Sequence, residues 1–494
     1  MTIQPPSRAI LITQSQLRRF AGSEIVTLEL VEHFASTGSP VVVVTHAFES
    51  PMREEILNAG DVEVILMSDP NLSDRLGQYD FELVWIHHCV IPKIVAAGDI
   101  DAPIVFNHMS GVHPIEHPML PSIERQLATL SLFNSEETME AQSARGALAS
   151  LSHERIRVFP NPAPDAFTAM PALNARARPR LAIVSNHIPD ELLEAVALLE
   201  GRIDLDLFGE STAKATTQLS RITPSLLGEY DAVVTIGKTV QYALVGGRPV
   251  YCYDRFGGPG WLNPSNLEKS AHHNFSGRGF GQKTAETIAD ELENGLVDAK
   301  THLDEIADRI GDCYLLSSQI PRVIESCRTS QRNTWALSRE DQTALELLQD
   351  LTATWVSAVE GSAKRERGRR KGLDRIAVLE QQRAHLKAKS TAFEKQRDRA
   401  RQHARELRES LDSSLAVVER ERDDALFAAS NSRDAADRAT AAAEAVAARL
   451  DRTEREFDAF RSRRIIRLAE RIARPYGAAL NMVLRHRSRG TSTR

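Results

Sequence analysis

Gly237-Lys238-Thr239 follows the apolar run Ala232-Val233-Val234 and precedes a helical stretch, Val240 to Val245. A turn between a strand and a helix N-terminus offers free backbone N–H groups and the positive end of the helix dipole, so it favours phosphate. Lys238 would add a charge and Thr239 a hydroxyl, which suits a diphosphate. The Gly-Lys-Thr triplet is not a P-loop. That motif needs a glycine five residues before its Gly-Lys, and Ala232 stands there. A second apolar strand, Val250 to Tyr253, ends on Asp254 and Arg255, which could bond hydroxyls or phosphate. Gly257, Gly258 and Gly260 follow, and glycines there let the backbone approach a ligand closely. The glycine-rich loop from Asn274 to Gly281 would cap the same pocket. His108 stands at the C-terminal end of a strand, Ile104 to Asn107, where parallel sheets bind ligands. It is the candidate catalytic residue. His113 and His117 have helical spacing, but Pro114 and Pro118 interrupt any helix that would hold a metal. Asp204-Leu205-Asp206 leads into an apolar strand, so no metal site is expected.

These residues need a frame. Apolar strands alternate with amphipathic helices from residue 8 to about 168, at 9–12, 40–45, 62–66, 83–87, 104–107, 131–133 and 156–159. That rhythm predicts βαβ units and a parallel sheet. Pro160, Pro162 and Pro164 mark a boundary. The rhythm then restarts with strands at 181–185, 205–208, 232–235 and 250–253. The fold class is α/β, with two doubly wound, Rossmann-like domains at 1–170 and 178–334. The turn at Gly237 lies in the second.

From residue 335 glycine becomes rare and charge dense. Leu379, Leu386, Phe393, Ala400 and Leu407 repeat every seven residues, which predicts a coiled coil within 335–460 and a homo-oligomer through it. The partner positions Arg383, Ser390 and Arg397 are polar, so the association is modest. Residues 461–494 carry ten arginines and one acid, Glu470, with apolar groups interleaved. Such a basic amphipathic segment suits an anionic membrane surface. Nucleic acid is the disfavoured partner, because stacking aromatics are nearly absent. At 494 residues with a net charge of −6, the chain needs more than one core, and its charge selects no partner. The four cysteines lie far apart, as suits a reducing compartment. With no leader and no spanning segment in the sequence, a cytoplasmic protein, peripheral on the inner membrane face, is expected.

Several stretches resemble the retaining "glycosyltransferase group 1" branch of GT-B glycosyltransferases. Phe20-Ala21-Gly22-Ser23-Glu24 is similar to the small-residue loop opening the first domain. Ala102 to His108 is similar to the strand that ends in a histidine at the cleft. Phe133-Asn134-Ser135-Glu136-Glu137-Thr138 and Arg157-Val158-Phe159-Pro160-Asn161-Pro162 are similar to later segments of that domain. The run 235–260 resembles the donor-binding segment, with a helix before a Gly-x-Pro-Val strand. The resemblance covers roughly residues 8–330. It implies transfer of a sugar from a nucleotide-sugar, a substrate rather than a cofactor, to a surface-glycan or lipid-linked acceptor. It implies retention and needs no metal or other cofactor. Donor contacts would come from Gly22, Ser23, Asn186, His187, Gly237, Lys238, Thr239, Gln241, Asp254 and Arg255, with His108 at the reacting centre.

Two departures are visible. The family's second glutamate on the donor helix is replaced at Gln241 or Tyr242. Its basic pair after the first strand of the second domain is replaced by Ser185-Asn186-His187-Ile188-Pro189. Lys238 is the candidate substitute cation. A nucleotide-sugar epimerase, or a scaffold with a degenerate transferase domain, are the rival readings.

Overall fold

Seven short apolar runs form the first sheet of the computed structural model, which describes residues 8–113, 116–171, 177–209, 221–330, 335–359 and 361. The heptad segment from 379 and the basic tail at 461–494 lie outside the described residues. The strands are β1 (Ala9–Gln14), β2 (Val41–Thr45), β3 (Val62–Leu66), β4 (Phe81–His87), β5 (Ile104–His108), β6 (Leu130–Phe133) and β7 (Ile156–Val158). Their order is β3-β2-β1-β4-β5-β6-β7, all parallel. β1 and β2 are buried along their whole length, as expected of strands covered on both faces. The helices among them are α1 (Gly22–Ser36), α2 (Met52–Leu57), α3 (Leu72–Leu76), α4 (Lys93–Ala97), α5 (Pro121–Leu127) and α6 (Glu136–Met139).

The second sheet holds β8 (Arg180–Val184), β9 (Asp204–Phe208), β10 (Ala232–Thr235), β11 (Val250–Asp254) and β12 (Gly257–Trp261), in the order β12-β11-β10-β8-β9. Its helices are α7 (Asp190–Leu198), α8 (Pro224–Leu227), α9 (Lys238–Val245), α10 (Leu267–His272), α11 (Ala285–Asn294), α12 (Leu296–Tyr314) and α13 (Leu316–Thr329). β12 runs antiparallel to β11, which corrects one expectation. Gly257 and Gly258 do not bring the backbone up to a ligand. A Cβ at Gly258 would lie 2.1 Å from the Cys252 carbonyl oxygen, and one at Gly257 would lie 2.2 Å from that of Gly281. The close approach is of protein backbone to protein backbone.

The two domains share their last elements. α13 leaves the second domain, and its Leu316, Ile320, Val323 and Cys327 join the core formed by α1 and one face of the first sheet. Leu337 and Leu345, with Trp335 against them, then join the core on the opposite face. The helix over 339–359 is held there by Lys93 to Glu346 at 2.8 Å, Ser122 to Asp341 at 2.8 Å, and Gln349 Nε2 donating to the Cys89 carbonyl at 3.1 Å. Packing therefore groups 316–329 and 335–358 with the first sheet. The sequence pattern divides the chain at 334 instead, and described residues through Ala358 belong to one unit.

Candidate functional site

The order of the second sheet reverses direction between β8 and β10. Ligands of open α/β sheets bind outside the strand ends at such a point. A cavity of about 470 Å³ opens there, between the two domains. Val184 to His187 line it after β8, Ile236 to Thr239 after β10, and Asp254 to Phe256 after β11. The first domain contributes Phe20 to Gly22, Met109 to Gly111, Asn134 and Thr138. Asn274, Ser276 and Arg278 come from the loop expected to cap the pocket.

Gly237 takes φ +59° and ψ −137°, backbone that a side chain would strain, and a Cβ there would meet nothing within 4 Å. The N-terminus of α9 is thus open to the cavity. Of the residues expected at the donor, Asn186, His187, Thr239, Asp254, Arg255, Gly22 and Gly237 all line it. The Asp254 carboxylate accepts from the Phe256 N–H at 2.8 Å. The Arg255 guanidinium lies over the Phe256 ring at 4.8 Å and makes no ion pair among the described residues.

Lys238 needs correction. It lines the cavity, but its ammonium turns inward and pairs with Glu29 Oε2 at 2.6 Å. It also donates to the carbonyls of Pro162 at 2.8 Å and Asn161 at 3.2 Å. Glu29 comes from α1 and accepts from the Tyr242 hydroxyl as well. Burial pushes the Lys238 pKa down against the pull of Glu29, and pushes the Glu29 carboxyl up. The charge expected at a diphosphate is committed to a tie between the domains. Gln241, by contrast, is outside the cavity lining. It is fully buried, and its Nε2 donates to the Pro160 carbonyl at 3.0 Å. The Ser23 side chain does not line the cavity, and its carbonyl accepts from Gln14 and Thr27.

His108 lies behind the wall rather than in it. Its Nε2 meets Glu124 Oε1 at 2.8 Å, its Nδ1 meets the Glu116 carbonyl at 3.3 Å, and its ring stacks on Phe133 at 5.2 Å. Burial disfavours its charged form, but the Glu124 carboxylate outweighs this and raises its pKa. Next to it, His88 bridges Ser15 Oγ at 2.7 Å and Glu116 Oε1 at 2.8 Å. Glu116 also accepts from the Met109 N–H at 3.1 Å, and the Gln142 amide holds the Ser110 carbonyl at 2.8 Å. The histidines at these strand ends therefore shape the loop that forms the first domain's wall. His87 is deeper. It is bonded to Thr27, Trp85 and Asn107, and burial pushes its pKa down to about 3. Asp206 is far from the cavity, in the edge strand β9, and accepts from Arg180 at 2.6 Å.

Sequence reasoning missed the cross-domain partners. Glu137 of α6 meets His273 Nδ1 at 3.0 Å and accepts twice from Arg278 Nε at 2.9 Å. Arg221 binds Glu32 and Glu55, each at 2.6 Å. Phe133 to Thr138 stands out by its family resemblance, but nothing local points to a partner 141 residues from Glu137. Among the described residues no three His, Cys, Asp or Glu groups converge in a metal-holding geometry, and no helix is long and apolar enough to cross a membrane.

Two Rossmann-like domains facing each other across such a cleft define the GT-B architecture. Solved glycosyltransferases are similar in structure. The Anabaena protein HepE, in complex with UDP and glucose, aligns with 65% of this chain and 100% of its own, at 14% identity and a TM-score of 0.47. A glycosyltransferase from Rickettsia africae aligns with 66% of this chain and 100% of its own, at 11% identity and 0.48. WaaG, a glycosyltransferase involved in lipopolysaccharide biosynthesis, aligns with 65% and 100%, at 13% and 0.43. No protein-family model matches the sequence, and no curated protein does.

Proposed function

We propose that this protein is a glycosyltransferase that binds a nucleotide-sugar in the interdomain cleft and passes the sugar to a glycan or lipid-linked acceptor. The observation that carries this reading is the cavity at the β8/β10 switch point, with the open turn at Gly237 at the N-terminus of α9. Departure of a nucleoside diphosphate builds negative charge on the leaving group, and preoriented N–H groups and cations stabilise it. Here the α9 N-terminus, Thr239, Arg255 and Arg278 supply that role without a metal. Asn186 and His187 contact the donor, and the Met109–Gly111 wall faces the acceptor. Retention is the outcome implied by the family resemblance. The basic segment 461–494 brings the enzyme to an anionic membrane.

A second reading has a specific observation behind it. Gln241 replaces an acid and is bonded to the Pro160 carbonyl, and Lys238 is paired with Glu29. A domain that holds a nucleotide-sugar without transferring it fits these facts. Thermal-shift screening of nucleotide-sugars, followed by turnover with an acceptor panel, separates the two. Transfer establishes the enzyme, and stabilisation without transfer establishes the binding scaffold. No stabilisation by any nucleotide-sugar sinks both.

A further inference from the structure

Two cations that line the cavity, Lys238 and Arg278, are each paired with a carboxylate from the facing domain. The two pairs differ in how exchangeable they are. Lys238 and Glu29 have side chains only 10% and 4% exposed, and two backbone carbonyls also hold the ammonium. Arg278 and Glu137 are each 27% exposed. A guanidinium fork that accepts a carboxylate side-on fits a phosphate equally well. The backbone fixes the position of Arg278. Gly279 has φ +81°, and a Cβ at Gly277 would lie 2.0 Å from the Gly257 carbonyl oxygen.

We propose that Arg278 is a ligand for the donor's phosphate groups and that Glu137 competes with them for it. Binding a diphosphate then breaks a tie between the domains. This rests on the nucleotide-sugar reading of the cleft. Glu137 works against the ligand twice, by occupying the fork and by repelling the incoming charge. Its pKa supports the competition. Burial would raise it, but Arg278 and His273 hold it below the ordinary value, so Glu137 is an anion near neutral pH. The Glu137 tie also explains why the capping loop faces the first domain although it belongs to the second.

Calorimetric titration of the full chain with UDP and, separately, with inorganic pyrophosphate tests this. Glu137→Gln is expected to bind about 3- to 10-fold tighter, because the competent arginine is no longer shared. Arg278→Gln is expected to bind about 10-fold weaker. In the double variant the gain from Glu137→Gln shrinks to the smaller part that comes from relieved repulsion, since the larger part acts through the Arg278 contact. Melting curves confirm that each variant is folded. If Glu137→Gln fails to fold, Glu137→Asp, with a shorter reach, is expected to show a smaller gain of the same sign. Unchanged or weaker binding by the folded Glu137 variant overturns the proposal, as does an equal gain without Arg278. If pyrophosphate follows this pattern while UDP and other nucleoside diphosphates do not bind, the Arg278 site stands and the nucleotide reading fails. If neither binds, both fall.

Discussion

His87 is held neutral at the end of β4, with a pKa near 3 against an ordinary 6.5, because burial disfavours its charge. Its unfolded form takes up a proton below pH 6.5 while the folded form does not. The stability it contributes is therefore present above pH 6.5 and lost as pH falls towards 3, at about 1.4 kcal/mol per pH unit. Denaturant unfolding from pH 8 to 5 should show this acid limb, and His87→Gln should flatten it by about one proton. His108 has the opposite sign. Its folded pKa is raised, so its contribution is complete below pH 6.5 and fades as pH rises through the folded value. His108→Ala also removes the ion-pair partner of Glu124, which is 1% exposed and keeps the Ser131 hydroxyl at 2.7 Å, at a cost of about 3 kcal/mol. The expected result is a lower melting temperature with UDP affinity unchanged in the folded protein. A loss of affinity larger than the loss of fold would return His108 to the site.

At the scale of elements, α1 and α9 meet through Glu29, Lys238 and Tyr242. Removing one charge from a buried pair leaves the other unpaired, whereas removing both does not. Lys238→Met is expected to cost about 3 kcal/mol, and Glu29→Leu with Lys238→Met to recover more than half of it, in a denaturant-melt cycle. Equal losses in the single and double variants would show that the pair is not coupled. This pairing also marks how far the sequence was legible. Apolar strands such as Val41–Thr45 stand out because a strand buried on both faces must be apolar throughout. The turn at Gly237 stands out because strand, glycine and helix signals adjoin. β12 was illegible because Gly257-Gly258-Pro259-Gly260 has turn composition, and only crowding against Cys252 and Gly281 reveals the pairing. Glu29, Glu137 and Arg278 were illegible for another reason. Charged residues on amphipathic helices or glycine-rich loops look like solvated surface until the other domain is placed against them.

For the whole molecule, the return of the chain onto the first domain predicts where it can be shortened. A chain ending after 361 keeps Trp335, Leu337, Leu345 and Val356 in place, while one ending after 330 uncovers the core beneath Leu337 and Leu345. The shorter form is expected to lose about 3 kcal/mol or more, as burying each large apolar side chain contributes about 1.5–3 kcal/mol. The longer form should unfold as the full chain does. Equal melting of the two forms would make residues 335–358 dispensable. A donor at a hundred times its dissociation constant should add about 2.7 kcal/mol to either folded form.

The attachment of α9 has one more consequence. Its first turn faces the cavity, while Lys238 and Gln241, one helical turn apart, are bonded to the carbonyls of Pro160, Asn161 and Pro162 in the crossover between the domains. Floor and axle are therefore one rigid piece. Any swing of the second domain about that crossover carries the turn at Gly237 with it, and it must also part Lys238 and Tyr242 from Glu29, which ties the same helix to α1.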